Sequence, residues 1–182
     1  MKILIVSDSH GNNGPLKTAI DRESPDMFIH LGDTEYSQTE IAGWAGAPKT
    51  PCIFLRGNCD IYHYDNAELV KDVSVFELKG HKFYCAHGHH QHVNFGLLRL
   101  SYFAREFECD ICLFGHTHVP YDSFGDAVSE YSRFYESEPC DMSGPRILNP
   151  GSISLPRGGS KRGYMIMEME EDGRYDVKYC LV

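Results

Sequence analysis

Asp8 and His10 flank a single serine directly after the apolar run Ile3-Leu4-Ile5-Val6, and far along the chain His116 and His118 flank a single threonine. Between these pairs stand Gly32-Asp33, Gly57-Asn58-Cys59-Asp60 and His87-Gly88-His89, each just after a short run that reads as a strand. Hard carboxylate oxygens and imidazole nitrogens collected at strand ends suit a pair of divalent cations. Such a pair lowers the pKa of a bound water and clamps phosphoryl oxygens, so the chemistry expected is metal-assisted phosphoester hydrolysis. The spacing fits that use. Side chains two apart on an extended strand share a face, so Asp8 can lie beside His10 and His116 beside His118. Asp33 follows a glycine that permits a sharp backbone turn. Asn58 offers a neutral carbonyl oxygen where a further carboxylate would over-neutralise the metals.

The elements that must position these residues are short and regular. The run Ile3 to Val6 is apolar throughout, as in a strand covered on both faces. Asn13 reads as an N-cap, followed by Pro15 in the first turn of a helix carrying Leu16, Ala19 and Ile20. Met27-Phe28-Ile29 is the next strand, 35–45 a helix with the single tryptophan Trp44, and Cys52 to Leu55 a third strand. A hairpin follows, Val73 to Leu78 and Phe83 to Ala86, turning at Lys79-Gly80. Asn94 is expected to cap an amphipathic helix with Phe95, Leu98, Tyr102 and Phe103 near one face. Ile111 to Phe114 is another buried strand, and four more are expected around 119–124, 145–148, 164–169 and 175–180. Early strand–helix–strand units with later hairpins point to a mixed α/β architecture with two sheets.

A chain of 182 residues is expected to form one domain over 1–182. The segment 125–144, with three glutamates, two aspartates and three aromatics, is long for a strand-to-strand connection and reads as an insertion. Its plain reading is a solvated excursion; the sharper one is a lid or an oligomer contact through Tyr131, Phe134 and Tyr135, so a homo-oligomer is possible. The formal charge of -9 argues against wrapping long duplex nucleic acid, but not against a small phosphate ester, because two divalent ions add positive charge locally. The seven cysteines are odd in number and show no disulfide spacing. Cys109 and Cys112 form the one C-x-x-C, and residues three apart on a strand point to opposite faces, so reduced thiols are the plain interpretation. No apolar stretch approaches the roughly 20 residues of a membrane span or the roughly 7–15 of a signal-peptide core. A cytoplasmic protein without membrane association is expected.

The motifs in their order, D-x-H, G-D, G-N-x-[DE], H-G-H and G-H-x-H, together with Asn149-Pro150-Gly151-Ser152, give the chain its identity: it resembles the calcineurin-like metallophosphoesterases, and within them the small prokaryotic phosphodiesterase branch. The resemblance runs from Met1 to about Arg157. It implies a sandwich of two mixed β-sheets flanked by helices. It also implies that Asp8, His10, Asp33 and His118 hold one metal, and Asp33, Asn58, His87 and His116 the other, with a hydroxide between the ions attacking phosphorus in line. Manganese is the usual activating ion of such proteins, and the mixed donor set also admits iron, nickel, cobalt or zinc.

One position separates this chain from the protein Ser/Thr phosphatases of that superfamily. There a histidine follows the motif asparagine and protonates the leaving group; here the residue is Cys59. A thiol, with a reference pKa of about 8.5, is a poor substitute near neutral pH. Small phosphodiesters with good leaving groups are therefore the expected substrates, with Cys59 either weakly catalytic or a small packing residue. His89 is a candidate for contacting substrate or orienting His87. Arg56 is a candidate for binding phosphate, or else for an ion pair that supports its loop. His30 reads as structural, His63, His81, His90 and His92 as surface residues, and Asp60 as orienting a turn. Two alternatives stand beside the diesterase: a phosphomonoesterase or nucleotide phosphatase, and a non-catalytic scaffold like the retromer subunit of this fold.

Overall fold

The computed structural model describes residues 1–60, 68–124 and 144–182. Two sheets lie in it. The first contains β1 (Lys2–Val6), β2 (Met27–His30), β3 (Cys52–Leu55), β4 (Val70–Lys71), β10 (Gly163–Met169) and β11 (Tyr175–Leu181), in the order β11-β10-β1-β2-β3-β4. The second contains β5 (Val73–Leu78), β6 (His81–Ala86), β7 (Ile111–Leu113), β8 (Pro120–Phe124) and β9 (Arg146–Pro150), in the order β5-β6-β7-β9-β8. Both are mixed. β1 to β4 run parallel, β10 pairs antiparallel with β1 and β11 antiparallel with β10, while β6, β7 and β9 are parallel between antiparallel edges.

The continuous apolar runs are explained by three stacked cores. Ile3, Ile5 and Ile29 meet Phe83, Ile111, Leu113 and Leu148 between the sheets. The alternate residues Leu4, Val6 and Phe28 face outward, onto Leu16, Ala19 and Ile20 of α1 (Asn13–Glu23) and Ile41, Ala42 and Ala45 of α2 (Gln38–Ala45). On the far side, Tyr84, Cys112 and Ile147 pack under Leu100 and Ala104 of α3 (Leu98–Glu106). A strand covered on both faces has no solvent side, so its residues are apolar without alternation.

Four local expectations change. Asn94 does not cap α3; it lies in a separate tight turn, Val93–Phe95, and α3 starts four residues later. Phe95 is 93% exposed, and the buried face of α3 is Leu100, Ser101 and Ala104 rather than the aromatic set. The helix expected from residue 35 begins at Gln38, where the Ser37 side chain accepts the Glu40 N–H and Glu35 is left in the preceding loop. Cys109 precedes β7 instead of lying on it, and so it shares one core with Cys112. Both thiols are pushed up by burial, as expected of packing residues. His63 and nearly all of the 125–144 segment, including its aromatics, lie outside the described residues.

Candidate metal centre

The site lies where β1, β2, β3, β6 and β7 end, and its backbone is unusual. Asp8, His10, Asp33, Glu35, His116 and His118 all have positive φ, between 46° and 67°. Non-glycine residues avoid this left-handed region, and clusters of them mark sites held by their surroundings. The two-residue spacing of Asp8 with His10, and of His116 with His118, therefore does not come from strand alternation. Each pair sits past its strand end in a left-handed turn that brings both side chains to one side.

These turns are tied together. The loop after β1 continues against the loop after β2 through Asp8 N–H to Gly32 O (3.0 Å), His10 N–H to Asp33 O (2.9 Å) and Gly11 N–H to Thr34 O (2.9 Å). Asp60 fixes the second loop: one carboxylate oxygen accepts the N–H groups of Asp33 (2.7 Å) and Gly57 (2.8 Å), the other those of Glu35 (2.9 Å) and the Thr34 hydroxyl (2.9 Å). Asp60 thus orients the turn. At Gly57 a Cβ would stand 1.9 Å from Asp33 Oδ1, so only glycine lets the two loops meet. His30 is a buried strut. Its Nδ1 accepts Gly32 N–H (3.2 Å), which leaves Nε2–H for the Ser9 hydroxyl (3.0 Å), and burial pushes its pKa down to about 4. The segment 149–154 closes the far side. Asn149 donates to Gly115 O (2.9 Å), and the hydroxyls of Ser152 and Ser154 donate to Asp8 O (2.8 and 3.0 Å).

Donor atoms of Asp8, His10, Asp33 and His118 lie within 4.8 Å of one another, and so do those of Asp33, His87 and His116. Asp33 belongs to both groups. Its Oδ2 is 3.8 Å from His10 Nε2 and 3.4 Å from His87 Nε2. Asn58 joins the second group, with Oδ1 3.2 Å from His87 Nε2.

The protonation pattern tests whether cations fit here. His118 Nδ1 faces the Leu155 carbonyl (2.6 Å), His87 Nδ1 the Leu31 carbonyl (2.7 Å), and His10 Nδ1 the Glu35 carboxylate (2.5 Å). Carbonyls and carboxylates only accept, so each Nδ1 must carry the proton and each neutral ring turns a lone pair inward on Nε2. Those lone pairs converge: His10 Nε2 is 3.3 Å from His118 Nε2, and His87 Nε2 faces both Asn58 Oδ1 and Asp33 Oδ2. Asp8 Oδ1 is fully buried without a well-directed hydrogen bond, with His118 Nε2 3.1 Å away. Facing lone pairs and a buried carboxylate require positive charge between them. The titration behaviour agrees. Burial opposes ionisation of Asp8 and Asp33, yet His118 and His87 hold both carboxyls below their ordinary range. Burial likewise opposes charging His87 and His118, yet Asp33 and Asp8 raise the first and Asp8 the second. The clustered Asp and His side chains thus have the donor chemistry of a divalent-metal site.

The remaining candidates are placed as follows. His116 accepts the Asn94 amide on Nε2 (2.9 Å), a contact given by no spacing rule. Its pKa is lowered by burial and by His87. His89 does not orient His87, whose Nδ1 is taken by Leu31; the rings are 5.3 Å apart and His89 Nδ1 is buried without a partner. Burial, then His87, push the His89 pKa down to about 4. Cys59 donates its backbone N–H to Asp33 Oδ1 (2.8 Å), and its thiol is pushed up to about 12 by burial and then Asp33. Arg56 stands in neither donor group; its guanidinium is 3.4 Å from Asp72. Glu35 is the residue that the motif reading missed. It had a signal, because Asp33-Thr34-Glu35 repeats the two-residue spacing of Asp8-Ser9-His10 and His116-Thr117-His118.

Comparison with known proteins agrees with this geometry. Residues 1–172 match the family model of the calcineurin-like phosphoesterase superfamily domain. The chain is 33% identical over 174 residues to the probable metallophosphoesterase YsnB of Bacillus subtilis, covering 94% of this chain and 86% of that one. It is 23% identical to the phosphodiesterase YfcE of Escherichia coli K12, over 92% of this chain and 88% of that one. A crystal structure of a conserved Streptococcus pneumoniae protein, described as a predicted phosphoesterase, superposes with a TM-score of 0.73 at 29% identity, over 99% of this chain and 88% of that chain. The chain belongs to the calcineurin-like phosphoesterase superfamily.

Proposed function

We propose that this chain is a metal-dependent phosphodiesterase acting on small phosphodiesters. The observation that carries the proposal is the convergence of three Nδ1-tethered imidazoles on two buried carboxylates, Asp8 and Asp33, in two donor groups that share Asp33. Asp8, His10, Asp33 and His118 would hold one ion, and Asp33, Asn58, His87 and His116 the other. Manganese is the first choice, with iron, nickel, cobalt or zinc suited to the same donors. When bound, the ions supply an activated water and neutralise charge developing on the phosphoryl oxygens.

The chain's own groups set the substrate preference. Cys59 occupies the position of the leaving-group acid, and its thiol, pushed up to about 12, yields its proton too reluctantly to assist a neutral-pH reaction. His89 is neutral at such pH and can contact substrate as a hydrogen-bonding ring rather than as an acid. Asn58, exposed beside Cys59, and Arg56, tethered at Asp72, would meet phosphate oxygens. A diester with a good leaving group needs least from an acid. The name of the Escherichia coli relative, a phosphodiesterase, supports the same choice. The net charge of -9 favours a small ester over long duplex nucleic acid. Free thiols at all six described cysteines accord with a cytoplasmic setting.

The test is hydrolysis of bis-p-nitrophenyl phosphate and of p-nitrophenyl phosphate by chelator-stripped protein, with and without Mn²⁺. Turnover restored by metal and favouring the diester is expected. Faster monoester turnover would replace this reading with a phosphomonoesterase, and silence across Mn²⁺, Ni²⁺, Co²⁺ and Zn²⁺ from folded protein would leave a binding scaffold.

A further inference from the structure

His87 and His118 are oriented by backbone carbonyls, and His10 alone of the three is oriented by a charged side chain. We infer that Glu35 is the positioning residue for His10: its carboxylate fixes the ring's tautomer and direction and so sets the affinity of the ion held by Asp8, His10, Asp33 and His118. This rests on the metal-dependent reading above.

The placement of Glu35 is built rather than incidental. Its φ is +48°, a conformation that costs a non-glycine residue free energy, and its backbone N–H is held by Asp60 at 2.9 Å. The residue before it is bonded at both ends, Thr34 O to Gly11 N–H and the Thr34 hydroxyl to Asp60. Glu35 therefore cannot drift from His10, although a third of its side chain reaches solvent. With Oε1 2.5 Å from Nδ1, the proton stays on Nδ1 and the lone pair on Nε2. A carboxylate partner also makes the imidazole a stronger donor than a carbonyl does. His10, Glu35 and Cys59 bring donor atoms within 4.8 Å of one another, which raises the alternative of a further ion there. The hydrogen bond itself rules against it, because an Nδ1 that carries the proton toward Glu35 has no lone pair for a cation.

The experiment is calorimetric titration of chelator-stripped wild type, Glu35→Ala and Glu35→Gln with Mn²⁺, with the apo melting temperature of each measured alongside. Co²⁺ loading, followed by its visible absorption, adds a signature of the ligand field. In wild type two ions should bind. In Glu35→Ala one of them should weaken by about 10–100-fold while the other keeps its affinity, and the Co²⁺ spectrum of the weakened site should change. Glu35→Gln should recover most of the loss, since its amide oxygen still accepts from Nδ1, and being isosteric it guards against a folding defect. Wild-type affinity for both ions in Glu35→Ala, or equal damage in Glu35→Gln, overturns the positioning role. Failure of wild type to bind two ions instead overturns the dinuclear reading, and the positioning role with it.

Discussion

The two sheets bring unlike chemistry to one centre. The six-stranded sheet presents Asp8, Asp33, Glu35 and Asp60 from the loops after β1, β2 and β3, with His10 as its one imidazole ligand candidate. The five-stranded sheet presents His87, His116 and His118 and no carboxylate in either donor group. On the acidic side side chains are held by other side chains and by N–H donors, with Asp60 at the hub. On the histidine side they are held chiefly by backbone carbonyls. Neither side completes the two donor groups alone, because one offers a single imidazole and the other lacks compensating charge. The seam between them is backbone and hydroxyl chemistry: His116 N–H to Asp8 Oδ2 at 3.1 Å, Ile153 N–H to Ser7 O at 3.1 Å, and the two serine hydroxyls on Asp8 O. Substitutions should therefore be felt strongly on the acidic side and more weakly on the histidine side.

The largest effect is expected at the one residue common to both groups. Asp33→Asn keeps the shape but removes the charge that both proposed ions would share. Metal-dependent turnover should fall about 10²–10³-fold, and calorimetry should find both ions weakened rather than one. Selective loss of a single ion would mean that Asp33 belongs to one group only. Next comes Gly57→Ala, whose new Cβ would stand 1.9 Å from Asp33 Oδ1. The loop must move, and a displacement of about 1 Å at such a ligand costs on the order of 10²-fold in kcat/KM. Unfolding in urea should report a further loss of about 1–3 kcal/mol from overpacking. Unchanged turnover would mean that the loops after β2 and β3 are not in rigid contact.

His30 gives a pH-dependent prediction on the same side. Burial lowers its folded-state pKa to about 4, from an unfolded value near 6.5. Below pH 6.5 the unfolded chain takes up a proton that the folded chain refuses, so this contribution to stability falls as pH drops and levels off near pH 4. The wild type should lose up to about 3 kcal/mol through this window, and His30→Gln, although destabilised overall, should show a shallower slope. Parallel slopes in the two proteins would show that His30 is charged in the fold.

Much of the candidate site was legible because carboxylate and imidazole donors are chemically distinctive and follow strand ends that are themselves legible as apolar runs. Asp8, His10, Asp33, Asn58, His87, His116 and His118 fall into two adjoining groups, and the strands before them stand within a residue or two of their expected bounds. What escaped was of another kind. Asn94 reaches His116 across a turn between elements, Glu35 meets His10 across neighbouring loops, and His87 is oriented by a carbonyl just past the end of another strand. Such contacts depend on tertiary register, and a carbonyl is the same at every position. The mistaken cap at Asn94 has a similar origin. The Leu98 helix carries no capping side chain, so the nearest asparagine looked like its start. The aromatic face failed because Phe95 and Tyr102 are exposed despite helical spacing, a departure that only the packing of Leu100 and Ala104 under β6 and β7 reveals.

The smallest effect expected is also the sharpest test of the contrast between the sides. His118 is aimed by the main-chain oxygen of Leu155, whose side chain is 52% exposed. That oxygen is fixed by Leu155 N–H donating to Ser152 Oγ at 2.7 Å, and by Ser152 in turn donating to Asp8 O. Leu155→Ala leaves every one of those atoms in place. Stability should change by no more than about 0.5 kcal/mol, and both Mn²⁺ affinities should stay within about twofold of wild type. Glu35→Ala, by contrast, removes the atom that does the aiming. If Leu155→Ala weakened an ion as much as Glu35→Ala does, orientation on the histidine side would depend on side-chain packing after all. The division between a side held by side chains and a side held by backbone would then be lost.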